Sequence, residues 1–152
     1  MTIGHQIFTE AQRELLTATL NRIIPAEGKF PGAGDLGLAD FVESVVAQNN
    51  KLRRLFTEGL AQIEIAAAGR EGKEFLELAD AARDKILREV EAQRPQFFEA
   101  LVRQCYNGYY TNPQIFELIN YRRLGPGEYI PKPLEESLLE LQRQRAPFWR
   151  QV

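Results

Sequence analysis

Apolar residues along most of the chain recur at the three- and four-residue spacing of amphipathic helices. The clearest stripe predicts a helix from Leu38 to Gln48. Its members are Leu38, Phe41, Val42, Val45 and Val46. Comparable stripes predict helices that begin near Thr9, Asn50, Asp80 and Pro95. Because no alternating strand pattern of useful length occurs, the sequence predicts an all-α fold, a single compact bundle of about five to six helices.

Local signals mark where these helices begin and end. Thr9 and Gln12 have the spacing of a capping box, and Pro25 ends the first helix because proline pushes the preceding residue away from helical angles. The predicted caps of later helices are Asp35, Asn50 and Asp80. Gly59 lies on an apolar stripe, where glycine costs about 1 kcal/mol, and this predicts the close approach of a neighbouring helix.

The fifth helix carries an apolar face that is expected to pack in the core. Its members are Phe98, Leu101, Val102, Cys105, Tyr106 and Tyr109. The helical period is then lost, which predicts a long ordered irregular loop over residues 111–133, followed by a C-terminal helix over 134–145. Residues 1–8 are expected to be flexible, and residues 1–152 to form one domain.

Composition argues against several classes of partner. The net charge is −2 and no basic block occurs, which disfavours nucleic acid as the main ligand. No run of 18 apolar residues is present, so the chain is not expected to span a membrane. No signal peptide is recognised, which predicts a cytoplasmic location as written, or a periplasmic or membrane-associated one if a signal was removed or the protein is exported with a partner.

Few side chains in the sequence are candidates for catalysis or for binding a metal or cofactor. The only histidine, His5, cannot supply a metal site or activate Cys105, and Cys105 falls on a core face. Acidic side chains, Glu43 among them, lie mostly off the apolar stripes and are interpreted as solvated helix faces. The glycine-rich loop over 26–37 lacks the lysine and Ser/Thr of a phosphate loop. We therefore expect no catalytic, cofactor-binding or metal-binding residues.

All tyrosines of the chain lie in one short window that also holds four prolines. They are Tyr106, Tyr109, Tyr110, Tyr121 and Tyr129. Tyrosine combines a rigid apolar ring with a hydroxyl that tolerates water, which favours a surface that contacts another protein. The alternative is that this window caps an open end of the bundle. Trp149 in the C-terminal tail is either a further interface anchor or folds back on the core.

Two segments resemble a known family. Residues 16–25 (LTATLNRIIP) with 30–41 (FPGAGDLGLADF), and later Gly108-Tyr109-Tyr110-Thr111-Asn112-Pro113, are similar to signatures of the gluconate 2-dehydrogenase subunit 3 family, and the similarity covers roughly 14–127. The resemblance implies a non-catalytic small subunit that binds and stabilises a large flavin-containing dehydrogenase of the glucose–methanol–choline type. It also implies FAD on that partner subunit, a cytochrome subunit in many complexes, and help with folding or export.

The chain departs from the family pattern in two places. The twin-arginine signal typical of the family is not seen, and residues 124–127 (LGPG) replace a Gly-Tyr-Pro-Gly-like turn, with Tyr121 near an expected tryptophan. The hypothesis is an accessory subunit that is not an enzyme by itself; the alternative is a cytoplasmic scaffold or self-associating helical protein. The predicted partner-binding residues are Tyr110, Asn112, Pro113, Tyr121, Tyr129 and Trp149.

Overall fold

The structure, a computed structural model, describes residues 7–122, 125, 127 and 136–144. The helices are α1 (Glu10–Ile23), α2 (Leu38–Ala47), α3 (Asn50–Glu71), α4 (Asp80–Gln93), α5 (Pro95–Tyr110), α6 (Pro113–Leu118) and α7 (Glu136–Arg143), with a 3-10 turn at Phe75–Glu77. The all-α prediction is confirmed. The chain divides into two compact units, residues 1–121 and 122–152, and the single domain over 1–152 stays a prediction.

The core of the first unit is built around α3. This helix packs against α2, α4 and α5, and it buries Phe56, Leu60 and Ile63 completely. Helix α1 begins with the predicted capping box of Thr9 and Gln12 and ends just before Pro25. Large apolar side chains leave water on folding, and this burial is the main term that stabilises such a bundle.

Gly59 permits a close contact between α3 and α5. A Cβ atom at Gly59 would overlap the ring of Phe97 on α5, so the predicted close approach is confirmed. Phe97 is 1% exposed and meets Phe56 edge-on, with 5.5 Å between ring centroids. The predicted inward residue Phe98 is only half-buried, because α5 is oriented so that Phe97 occupies the α3 contact.

The segment before α1 is attached to the bundle, so the prediction of flexibility is wrong for residues 7 and 8. Phe8 is 1% exposed, and the backbone N–H groups of Ile7 and Phe8 donate to Oε1 of Glu43 over 2.6 and 3.0 Å. Glu43 also forms an ion pair with Arg13. The interpretation of Glu43 as solvated is therefore wrong: it is buried because it satisfies these donors. Residues 1–6 lie outside the described residues.

Three helix caps differ from those predicted. Asn49, not Asn50, caps α3, and its side chain accepts from two backbone N–H groups. Gly37, not Asp35, is the N-cap residue of α2 and provides no side-chain cap, while the Asp35 carboxylate accepts a hydrogen bond from Asn21. Asp80 is the first residue of α4 rather than its cap, and its carboxylate pairs with Arg22.

The loop predicted over residues 111–133 is wrong at its start, where Pro113–Leu118 forms α6. The Asn112 side chain accepts from Gln114 N over 2.9 Å and caps this helix. Pro113 is the first helical residue, a position that needs no N–H donor. Pro113, at which the predicted helical pattern is lost, therefore begins a new helix. Helix α7 falls within the predicted 134–145 helix.

Candidate partner-binding surface

The glycine-rich loop over residues 26–37 is fixed to α1 by Asn21. Its side-chain oxygen accepts from Gly34 N over 2.8 Å, and its amide nitrogen donates to Asp35 Oδ1 over 3.0 Å. A Cβ atom at Gly34 would overlap the Thr17 carbonyl oxygen. Glycine is needed there because the loop backbone runs directly against α1.

Tyr109 joins this loop to the end of α5. The ring is 3% exposed, and its hydroxyl donates to the Pro31 carbonyl over 2.9 Å. Burial raises the pKa of Tyr109, with smaller contributions from Tyr110 and Cys105, so the hydroxyl keeps its proton and remains a donor. This hydrogen bond therefore joins the two segments that carry the family resemblance.

Further contacts hold the loop against the α5–α6 end. The ammonium of Lys29 donates to the Leu118 carbonyl at the C-terminus of α6 over 2.9 Å, where a cation is favoured. Gly108 lies against α2, and a Cβ atom there would be 2.7 Å from the Phe41 ring. The loop and the α5–α6 connection therefore support each other.

Next to this junction the chain presents exposed aromatic and aliphatic side chains. We call this set the aromatic surface: the exposed residues Tyr106, Tyr110, Ile119 and Tyr121, together with Phe116, which is half-buried. Tyr110 is 51% exposed and Tyr121 is 55% exposed. The Tyr106 and Tyr110 rings stack with 5.9 Å between centroids, and those of Phe116 and Tyr121 lie 5.0 Å apart. Exposed apolar side chains grouped in this way are typical of interaction sites.

A left-handed turn places Tyr121 against α6. Asn120 has φ 54°, a conformation that asparagine tolerates better than most residues. The chain reverses there, and Tyr121 N donates to the Phe116 carbonyl over 2.8 Å. The backbone therefore orients both rings of this pair.

The predicted site residues are partly brought together. Tyr110, Pro113 and Tyr121 are exposed, whereas Asn112 is half-buried and its side chain serves as the α6 cap. Tyr129 and Trp149 lie outside the described residues. Phe116, Ile119 and Lys29 were not predicted, although the apolar run over 115–119 was the available signal for the first two.

The core assignment of Tyr106 is wrong, since this side chain is 45% exposed. Its spacing places it beside Leu101 and Cys105 on α5, but no helix of the first unit covers that edge of the stripe. Helical spacing indicates which residues share a face, whereas burial requires a neighbour on that face.

Cys105 and Asp84 have structural environments that disfavour a catalytic role. Cys105 is fully buried, and burial raises the pKa of its thiol to about 12, so it remains protonated and unreactive at neutral pH. A hydrogen bond from Arg22 lowers the pKa of Asp84, which opposes a role as a general acid. Within the described ranges no group of three or more potential metal ligands occurs. No helix in the part of the chain that the structure describes is long and apolar enough to cross a bilayer.

Removing the Tyr109 hydroxyl is expected to weaken the junction. Tyr109→Phe should lower the free energy of unfolding by about 1–2 kcal/mol, because the Pro31 carbonyl loses its hydrogen-bond donor. Chemical denaturation followed by circular dichroism measures this change. Tyr110→Phe is the matched control on the neighbouring exposed ring and should leave the unfolding free energy within about 0.5 kcal/mol of the original. Equal losses in the two variants would contradict the role given to Tyr109.

Comparison with known proteins finds one family. A family model described as gluconate 2-dehydrogenase subunit 3 matches residues 10–127, which span α1 to α6 with the glycine-rich loop and the aromatic surface. A search of curated proteins and a search of solved structures each gave no match.

Proposed function

The chain belongs to the gluconate 2-dehydrogenase subunit 3 family, and on that premise we propose that it binds and stabilises the large flavin-containing subunit of a dehydrogenase complex. The proposed role is non-catalytic. The large subunit is proposed to be of the glucose–methanol–choline type, to carry FAD and to perform the oxidation. The proposal extends to a cytochrome subunit in the complex and to assistance in the export of the partner.

The aromatic surface is the observation that carries this proposal. Its tyrosines have few rotatable bonds, so they contribute contact area at a small entropic cost on binding. Their backbone is held in place before binding, by the Tyr109 hydrogen bond on one side and by the turn at Asn120 on the other. A surface that is already in its bound shape favours tight association with a folded partner.

Substitution of two exposed tyrosines tests the proposal. The double variant Tyr110→Ala/Tyr121→Ala should raise the Kd for the purified large subunit at least about 30-fold, because buried aromatic anchors contribute about 2 kcal/mol or more to an interface. Binding is measured by surface plasmon resonance with immobilised large subunit. Ile65→Ala is the control, because Ile65 is 63% exposed on α3 and lies outside the aromatic surface.

Two results would contradict the proposed function. The first is a large subunit that folds, binds flavin and turns over equally well when expressed without this chain. The second is a stable homo-oligomer in analytical ultracentrifugation that the tyrosine variant dissociates, which would favour the self-associating alternative. If Ile65→Ala lowers the affinity as much as the double tyrosine variant does, the loss does not come from the aromatic surface.

A further inference from the structure

A second surface lies beside the aromatic surface, where α1, α4 and α5 meet. It is a cleft of about 320 Å³, and we call it the α4–α5 groove. Its apolar lining consists of Ile23, Leu87, Phe98, Val102 and Tyr106. Arg88 lies on its rim and is exposed. The groove therefore combines an apolar floor with a charged edge, as binding sites for amphipathic segments do.

One wall of the groove is a regular ridge on α5. Phe98, Val102 and Tyr106 recur every fourth residue, and Tyr110 continues the row. At 1.5 Å of rise per residue the row is about 18 Å long, which accommodates about three turns of another helix. Rows of this spacing are the ridges that pack into the grooves of a second helix. The geometry thus favours a helix over an extended strand as the occupant.

The row is left partly uncovered in the first unit. Phe98 and Val102 are half-buried, while Tyr106 is 45% exposed. The apolar stripe along α5 is as wide as one that faces a core. However, only the side of this stripe that carries Leu101 and Cys105 is completely buried. An apolar stripe without a covering element is a surface that a partner can complete.

The charged residues around the groove indicate which charge the occupant carries at this edge. Arg22 pairs with Asp80 and Asp84, each over 2.7 Å, and Arg83 lies 3.6 Å from Asp80. Two arginines and two aspartates therefore balance one another. Arg88, which also interacts electrostatically with Asp84, brings the total to three arginines against two aspartates at this edge. Complementarity then favours a negatively charged group on the occupant at this edge.

We propose that the α4–α5 groove receives an amphipathic helix of the large dehydrogenase subunit, with apolar side chains on the α5 row and a carboxylate opposite Arg88. The proposal rests on the proposed function, because it assigns the occupant to the same partner. Continuity supports that assignment: the groove ends at Tyr106, whose ring stacks on Tyr110 of the aromatic surface. A partner seated on one surface reaches the other.

Photo-crosslinking in the intact complex identifies the occupant. A benzophenone side chain in place of Phe98 should crosslink to a helical segment of the large subunit that carries Asp or Glu within two turns of the crosslinked residue. The same group in place of Ile65 is the position control and should give no such product. Crosslinks from Phe98 to a second copy of this chain, or to an extended segment of the partner, would overturn the inference.

Charge reversal tests the contact with Arg88. Arg88→Glu should raise the Kd for the large subunit at least tenfold, and reversing the crosslinked acidic residue to arginine should restore most of the affinity. Lys85→Glu is the matched control, an exposed position on the same helix outside the groove lining, and should change Kd less than twofold. Circular dichroism and melting temperature of each variant establish that it is folded.

The outcomes separate the inference from its premise. If wild-type complex forms, Arg88→Glu binds like the original and Phe98 gives no crosslink, the groove inference is wrong and the proposed function stands. If no complex forms with the wild-type chain, the proposed function fails and the inference fails with it.

Discussion

Replacement of Glu43 by alanine is expected to lower the free energy of unfolding by about 3 kcal/mol. The Glu43 side chain is 6% exposed, pairs with Arg13, and accepts the backbone N–H groups of Ile7 and Phe8. Its removal leaves these donors without an acceptor at a largely buried position, and breaking a buried pair from one side typically costs about 3–5 kcal/mol. We expect a value at the lower end of this range because the Arg13 side chain is 35% exposed and can be hydrated once its partner is removed.

Asp40 supplies the matched control for this experiment. It contacts the same Arg13 over 3.3 Å, but its side chain is 81% exposed, so Asp40→Ala should cost less than about 1 kcal/mol. Urea unfolding measures both changes. In Glu43→Ala, amide exchange at Ile7 and Phe8 should also accelerate while α3 keeps its protection. A loss no greater than that of Asp40→Ala would show that Glu43 does not hold the N-terminal segment.

Alanine at Gly59 is expected to lower the free energy of unfolding by about 2 kcal/mol, although alanine is the better helix former. The added methyl group would overlap the ring of Phe97, which is 1% exposed and packs edge-on against Phe56, so this ring would have to leave its contact with Phe56. Overpacking of this kind costs about 1–3 kcal/mol or more, and the gain in helix propensity, about 1 kcal/mol, offsets only part of it.

The same helix contains the control with the opposite expected sign. Gly69 also lies in α3, but a Cβ placed there would meet no atom within 4 Å other than those of its chain neighbours and its own helix backbone. Gly69→Ala should therefore raise the free energy of unfolding by up to about 1 kcal/mol. Thermal and denaturant unfolding of the pair give the comparison. The double variant Gly59→Ala/Phe97→Leu should lose less than the sum of its single variants, because the smaller side chain relieves the overlap. Additive losses would exclude the steric explanation.

Local interactions explain why much of the fold could be predicted. The capping box of Thr9 and Gln12, the stop before Pro25 and the start at Pro95 depend on contacts within four residues of the chain. Gly59 was also predictable, because a glycine on an apolar stripe is costly unless another helix approaches it. Such signals can be recognised in short stretches of sequence without knowledge of the final packing.

The candidate surface was only partly predictable. Tyr110 and Tyr121 were recognised by composition and family resemblance, and both are exposed. Asn112 and Pro113 were also named, but in the structure they start α6, which the sequence pattern treated as loop. A six-residue helix is too short to show a hydrophobic period, so its existence depends on its cap and on packing of Ile115 into the core.

By itself the sequence determined the helical class, the main helix boundaries and the family of this chain. The tertiary structure decided which members of each helical face are buried: Tyr106 is exposed, Phe97 replaces Phe98 at the α3 contact, and Glu43 is enclosed with its donors. The physical reason is the separation along the sequence over which each kind of interaction acts. Caps and helical periods arise within a few residues, whereas burial depends on side chains brought together from distant parts of the chain.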